Sequence, residues 1–270
     1  MIELPKSPIG DIIVDPKELV IIGSPKVGKT SAVLGLPNAL LINLEKKDPP
    51  LPGQFISMYK EVLDDSNFNE NQLSLSEDKK KLIILTQIVK KLQEAYKSGF
   101  QYDYIIIDTL TDLEDISNHY ATALYKSTSI GANFDGKDVV AELKMGAGYL
   151  YLRKAFVKIL SSFKGLAKKC LIFIVHPKLV SIDKKGVEVS LTDIDLTGKL
   201  KTIVAGNVDS IGLMTRNKDN TNQVILSFTS DEGYVSKGSN IARLDNKEFV
   251  ISELVDGKLV YYWDQIFTNL

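Results

Sequence analysis

Residues 19–30 read LVIIGSPKVGKT, an apolar β-branched run that leads without interruption into the pattern G-x-x-x-x-G-K-[ST]. That junction predicts a strand turning directly into a phosphate-binding loop. Gly23 and Gly28 are expected to let the backbone take positive-φ turns and to bring successive N–H groups close to phosphate oxygens. The whole stretch Gly23, Ser24, Pro25, Lys26, Val27, Gly28, Lys29, Thr30 and Ser31 is therefore the predicted nucleotide cradle. In this reading Lys29 supplies a point charge for the β and γ phosphates, and the Thr30 hydroxyl is a Mg²⁺ ligand. A helix opening near Lys29 turns its positive end onto the same anion site. A chance glycine-rich turn after a strand would spell the same pattern, so the rest of the chain has to decide.

Upstream, the Pro-rich lead-in of residues 1–18 suggests at most an edge strand through Ile12, Ile13 and Val14. Downstream, Ser31 to Gly35 reads as a short helix that Pro37 ends, and ALLINLE (39–45) as a second buried strand. Tyr59 to Glu77 is polar and rich in Asn and Ser, which predicts an exposed excursion of weak structure. From Lys79 to Ser98, Leu82, Ile83, Leu85, Ile88, Val89, Leu92 and Tyr96 recur at helical spacing, with Gly99 placed to cap the helix. YDYIIIDTL (102–110) holds a continuous apolar strand ending in Asp108, as expected of a buried parallel strand. Leu113 to Tyr125 and Tyr149 to Lys168 read as helices, with a glycine-rich loop at 126–148 between them. CLIFIVH (170–176) is another apolar strand. A hairpin around Lys184, Lys185 and Gly186 follows, then strands at 208–216 and 222–230 and a second hairpin around Asp256-Gly257.

Composition narrows the function classes. With 33 Lys+Arg against 34 Asp+Glu the net charge is -1, so no global basic field argues for nucleic acid and any such surface is local. The single cysteine, Cys170, lies in an apolar run and excludes a disulfide within the chain. Two histidines, His119 and His176, are too few for a zinc cluster. No apolar stretch approaches membrane-spanning length and no signal-peptide pattern opens the chain, so a cytoplasmic protein without a membrane partner is expected.

Four polar features stand at the ends of four successive predicted strands: the phosphate loop, Glu45, Asp108 and His176. In an open parallel sheet ligands collect at the carboxyl ends of the strands, so all four can converge on one nucleotide. Asp108 is the expected Mg²⁺ ligand, and its competing reading is an N-cap for the following helix. Glu45 is the expected general base for the attacking water, its competing reading a solvated acid that opens the loop EKKD. His176 could sense the γ phosphate, or be a strand-end histidine satisfied by the backbone.

GSPKVGKT, ALLINLE, YIIIDTL and CLIFIVHPK together resemble the RecA-like ATPase core, and more narrowly the phage-encoded RecA-related ATPases that act as single-strand annealing proteins. MGAGYLYLRKAF (145–156) is similar to the same phage group. The resemblance covers about residues 19–216. It implies a RecA-like P-loop NTPase of α/β class, with a mostly parallel sheet flanked by helices, in one domain over 1–270 whose β-rich extension starts near 217. It implies ATP and Mg²⁺ as cofactors, Glu45 as the catalytic glutamate beside Lys29, and His176 at the position where RecA itself has a glutamine. A head-to-tail homo-oligomer, ring or filament, is implied as well, with Arg153, Arg216, Arg243, Lys199 and Lys201 as choices for a cation delivered in trans. Single-stranded DNA is the expected partner, met by the loops 126–148 and 177–195 through Lys137, Lys144, Lys178, Lys184 and Lys185, in a bacterial host cytoplasm if the chain is phage-encoded. Two other readings stay open: a nucleotide-gated assembly protein with little turnover, and a P-loop kinase, although the 126–148 loop lacks the arginines of a kinase lid.

Overall fold

The β-branched runs in the sequence form the centre of a ten-stranded sheet in a computed structural model that describes residues 13–135, 140, 143, 146–184, 187–230 and 237–270. Strands β1 (Glu18–Ile22), β2 (Ala39–Asn43), β3 (Phe55–Ser57), β4 (Tyr104–Asp108) and β5 (Cys170–Val175) are parallel neighbours, and β8 (Ser210–Arg216) joins them beside β1. The order is β12-β11-β9-β8-β1-β5-β4-β2-β3, with β10 (Gly238–Ser239) paired to β8. β9 (Gln223–Ser227), β11 (Glu248–Val255) and β12 (Lys258–Tyr261) add to the β8 edge antiparallel. The α/β class expected from the sequence, a mostly parallel sheet flanked by helices, is the class observed, and the C-terminal strands continue the same sheet.

Every residue of β2, β4 and β5 is buried, which is why these strands read as unbroken apolar runs. Alternation still sorts their side chains onto two faces. Val20, Ile22, Ile105 and Ile107 pack with α4 (Glu77–Lys97), α5 (Leu110–Lys126) and α6 (Ala147–Phe163), as do Leu200 and Val204 of α7 (Leu200–Asn207). Leu19, Ile21, Tyr104 and Ile106 face α1 (Lys29–Val33) and the C-terminal residues Trp263, Ile266 and Phe267. Each fully buried isoleucine contributes about 1.5–3 kcal/mol, so the three in a row on β4 fix that strand in the centre.

Several sequence expectations are corrected. Ile13 and Val14 are not in a strand, and Ile12 lies outside the described residues. Tyr59–Glu77 is ordered into α2 (Met58–Leu63), a 3-10 turn at Asp65–Asn67 and α3 (Glu70–Leu73), because Ser57, Asp64 and the Asn69–Gln72 pair cap these short turns. β3 and α7 were not expected; three residues and eight are too few to show a period. The expected hairpin is β6 (Pro177–Lys184) with β7 (Val187–Ile194), paired from Pro177↔Ile194 to Lys184↔Val187. Lys185 and Gly186 at its tip, and Gly136, Lys137 and Lys144 of the glycine-rich stretch, lie outside the described residues.

Trp263 ties the C-terminal segment to α1, the helix that follows the phosphate loop. Its indole is 0% exposed, and Nε1 donates to the Ala32 carbonyl on α1 at 2.8 Å. Trp263→Ala should cost about 3–5 kcal/mol in urea unfolding, and Trp263→Phe clearly less, since the ring volume remains and only the hydrogen bond is lost.

Candidate functional site

The loop after β1 begins by continuing the ladder, the Gly23 N–H donating to the Val175 carbonyl at 3.2 Å. It then turns through left-handed conformations at Lys26 (φ 67°) and Gly28 (φ 108°). Gly28 is therefore glycine for its backbone, as expected. Gly23 does not have a positive φ, and its reason is space: a Cβ there would sit 3.0 Å from Lys29 Cδ and 3.1 Å from the Met214 carbonyl of β8. α1 opens at Lys29, where the phosphate-loop pattern expects a helix to start, and ends at Val33 rather than Gly35; Lys29 is only 6% exposed. Its Nζ donates to the carbonyls of Gly23 (2.7 Å) and Ser24 (3.1 Å) and lies 3.5 Å from His176 Nδ1. Burial lowers the Lys29 pKa, with the charges of Asp108 and Glu45 opposing that shift.

Asp108 ends β4, 1% exposed, and its Oδ2 accepts from the Thr30 hydroxyl at 2.8 Å. It does not cap the following helix. Thr109 does, its hydroxyl accepting from the Asp112 N–H at 3.2 Å. Glu45 follows β2 in a loop shaped by Asn43, which is 1% exposed. Asn43 Oδ1 accepts from the Glu45 N–H at 3.2 Å and Nδ2 donates to the Lys47 carbonyl at 2.8 Å. The sequence reading passed over Asn43; a lone amide closing the apolar run ALLIN was its only signal. His176 Nε2 lies 3.3 Å from Glu45 Oε1. A neutral imidazole with its proton on Nε2 serves both contacts, donating to Glu45 and accepting from Lys29. His176 is thus engaged through its ring, not by a backbone partner alone.

These residues surround one cleft of about 490 Å³, lined by Pro25, Lys26, Gly28, Lys29, Thr30, Ser31, Glu45, Lys47, Pro50, Asp108, His176 and Arg216. Gly23, Ser24 and Val27 of the predicted cradle are not on its wall. Gly23 and Ser24 hold Lys29 from behind, and Val27 packs in the apolar layer. The Thr30 hydroxyl and Asp108 carboxylate are hard oxygen donors within hydrogen-bond distance of one another, which suits Mg²⁺ sharing its shell with phosphate oxygens and water. Among the described residues no group of three or more His, Cys, Asp or Glu is placed to hold a metal alone. Of the residues proposed to act in trans, Arg243 is committed to Asp15 and to the carbonyls of Gln265 and Ile266, and Lys201 to Asp193. Arg153 and Lys199 line a separate cavity of about 200 Å³.

The hydrogen bond from His176 holds the Glu45 carboxyl below its ordinary range. Asp108 moves the other way, pushed up to about 6 by burial and by the nearby charge of Glu45, against the Thr30 hydroxyl and Lys29. For an acid whose folded pKa is raised, stability is lost as pH climbs from the unfolded pKa through the folded one. The nucleotide-free protein should therefore lose about 3 kcal/mol from this group between about pH 4 and pH 7. Asp108→Asn should remove that loss, so denaturant midpoints of variant and parent should diverge as pH rises, in favour of the variant.

Among the described residues no helix is long and apolar enough to cross a membrane. No curated protein matches the chain significantly. Among solved structures it is similar to the RadB recombinase, at 7% identity and a TM-score of 0.41, over 91% of each chain. A model of the AAA domain matches residues 15–239, from the approach to β1 through β10. The phosphate loop and the strands that carry Glu45, Asp108 and His176 all fall within that match, and the chain belongs to the AAA domain family of P-loop ATPases.

Proposed function

We propose that this chain binds ATP with Mg²⁺, hydrolyses it slowly, and couples the cycle to single-stranded DNA in recombination or strand annealing. The observation that carries this reading is the convergence of Lys29, Thr30, Asp108, Glu45 and His176 on one cleft from four different strand ends. Lys29 already points its ammonium at two loop carbonyls, and phosphate oxygens of a bound nucleotide would take over those contacts. Bound Mg²⁺, held by Thr30 and Asp108, would supply charge neutralisation at the β and γ phosphates. Glu45 is the base: of the two carboxylates on the cleft wall, Glu45 and Asp108, it is the one held below its ordinary range, because the His176 hydrogen bond outweighs the effect of burial. His176 keeps that carboxylate ionised and oriented while Glu45 takes the proton of the attacking water.

The same histidine supports the DNA half of the reading. β6 leaves at Pro177, immediately after His176, and the return strand is tied back by the Asp195 N–H donating to the His176 carbonyl at 3.0 Å. The hairpin that would meet DNA phosphates therefore pivots on the residue that touches both Glu45 and Lys29. A head-to-tail ring or filament belongs to the same proposal, with Arg153 and Lys199 as the cations still available in trans. So do the phage origin and the cytoplasmic setting.

Steady-state hydrolysis with and without single-stranded DNA, with Lys29→Ala as the blank, tests the reading. Stimulation by DNA that vanishes in the variant is expected. Glu45→Gln should lower kcat by about 10²–10⁴ while ATP is still bound. If DNA changes neither rate nor nucleotide affinity, the DNA half falls and an ATP-gated assembly protein takes its place.

A further inference from the structure

Arg216 stands at the end of β8, on the opposite side of β1 from the strands that carry Glu45, Asp108 and His176. Its side chain reaches the phosphate loop of its own chain. A Cβ placed on Gly28 would lie 3.7 Å from Arg216 Nη2 and 3.5 Å from Val224 Cγ2 of the paired strand β9. The guanidinium makes one long hydrogen bond, Nη1 to the Thr221 carbonyl at 3.4 Å, and no carboxylate among the described residues pairs with it.

The turn that presents it is heavily braced. Asn217 N–H donates to the Gln223 carbonyl at 3.0 Å, and Asn217 Nδ2 to Gln223 Oε1 at 2.7 Å. Glu253 of β11 then accepts from Asn220 Nδ2 and from Gln223 Nε2, both at 3.1 Å on one oxygen. Glu253 is thus spent on two side-chain amides and the Tyr262 hydroxyl, and Arg216 is left lining the cleft. Such an arrangement fixes a forked donor beside the loop at little entropic cost on binding.

We infer that Arg216 is a nucleotide-binding residue acting in cis, engaging the diphosphate portion common to ATP and ADP, and that the C-terminal strands exist in part to hold it there. The inference rests on the ATP-binding reading above. The choice of diphosphate over γ phosphate follows from the sheet order. The general base and His176 mark the γ end on the β5, β4 and β2 side, so a group arriving from β8 meets the other end of the phosphate chain.

Titration of the full-length protein with Mg·ADP and Mg·ATP tests this, using Arg216→Ala, Arg216→Lys and Lys29→Ala beside the parent. Arg216 is exposed, so the variants should keep the parent's thermal midpoint. Arg216→Ala should weaken both nucleotides together by about 10- to 100-fold, the size of a lost charged hydrogen-bonding group, with Arg216→Lys recovering part. Unchanged ADP affinity in Arg216→Ala overturns the inference, whether turnover is unchanged or falls. If the parent binds neither nucleotide, or Lys29→Ala binds as well as the parent, the nucleotide reading itself fails and takes this inference with it.

Discussion

Asp108 makes two bonds on which the rest of the site depends. Its carboxylate takes the Thr30 hydroxyl at 2.8 Å, and its carbonyl takes the Leu44 N–H at 2.6 Å. β1 and β4 are not neighbours, since β5 lies between them, so the first bond spans a strand and pins the phosphate loop to the centre of the sheet. The second prolongs the β2–β4 ladder by one step and carries the chain toward Glu45. A single buried residue thereby sets the loop that holds phosphate and the loop that holds the base in one frame. Such a residue must be small, acidic and buried at the end of a fixed strand, and the isoleucines before it supply the fixing.

Burying a carboxylate in that position is costly without a cation, which is why its proton affinity rises. The protein tolerates the strain because the two apolar layers on either side of β4 are continuous, one under α4, α5 and α6 and the other under α1 and the Trp263 turn. Stability from packing is thus set against a site that is poorly solvated until it is filled. A divalent cation inverts this balance, because the same carboxylate then meets a charge it can neutralise.

Long apolar runs made the parallel strands legible, since LVII, ALLI, YIII and CLIFIV are buried on both faces and have no alternation to confuse. The strand ends were legible for the same reason: a charged or polar residue that breaks such a run has few places to be other than the carboxyl edge of the sheet. What escaped the sequence was short or relational. β3 spans three residues and α7 eight, below the length at which a period declares itself. Asn43 reads as a strand terminator until its two hydrogen bonds to the Glu45 loop are seen. Arg216 stands in the sequence as one of five choices for a cation delivered in trans, and nothing in the spacing says that β8 lies beside β1. Arg243 was likewise a free cation in the sequence and a brace between Asp15 and the C-terminal carbonyls in the fold.

Charge shows the same gap between composition and placement. A chain with a net charge of -1 has no global reason to attract a polyanion. Its cleft, however, gathers Lys26, Lys29, Lys47 and Arg216 around two carboxylates, one of which burial drives toward neutrality. Field lines from such a set are focused by the low-dielectric walls on either side, so the local potential favours a phosphate chain however the rest of the surface is charged. Three of those cations come from the segments around β1 and β2 and the fourth from β8, the strand to which the C-terminal strands are added. The antiparallel extension is therefore part of the cleft's electrostatics as well as of the sheet: without β9 beside it, the Leu213–Arg216 half of β8 would be an edge, and the turn carrying Arg216 would have nothing to close against.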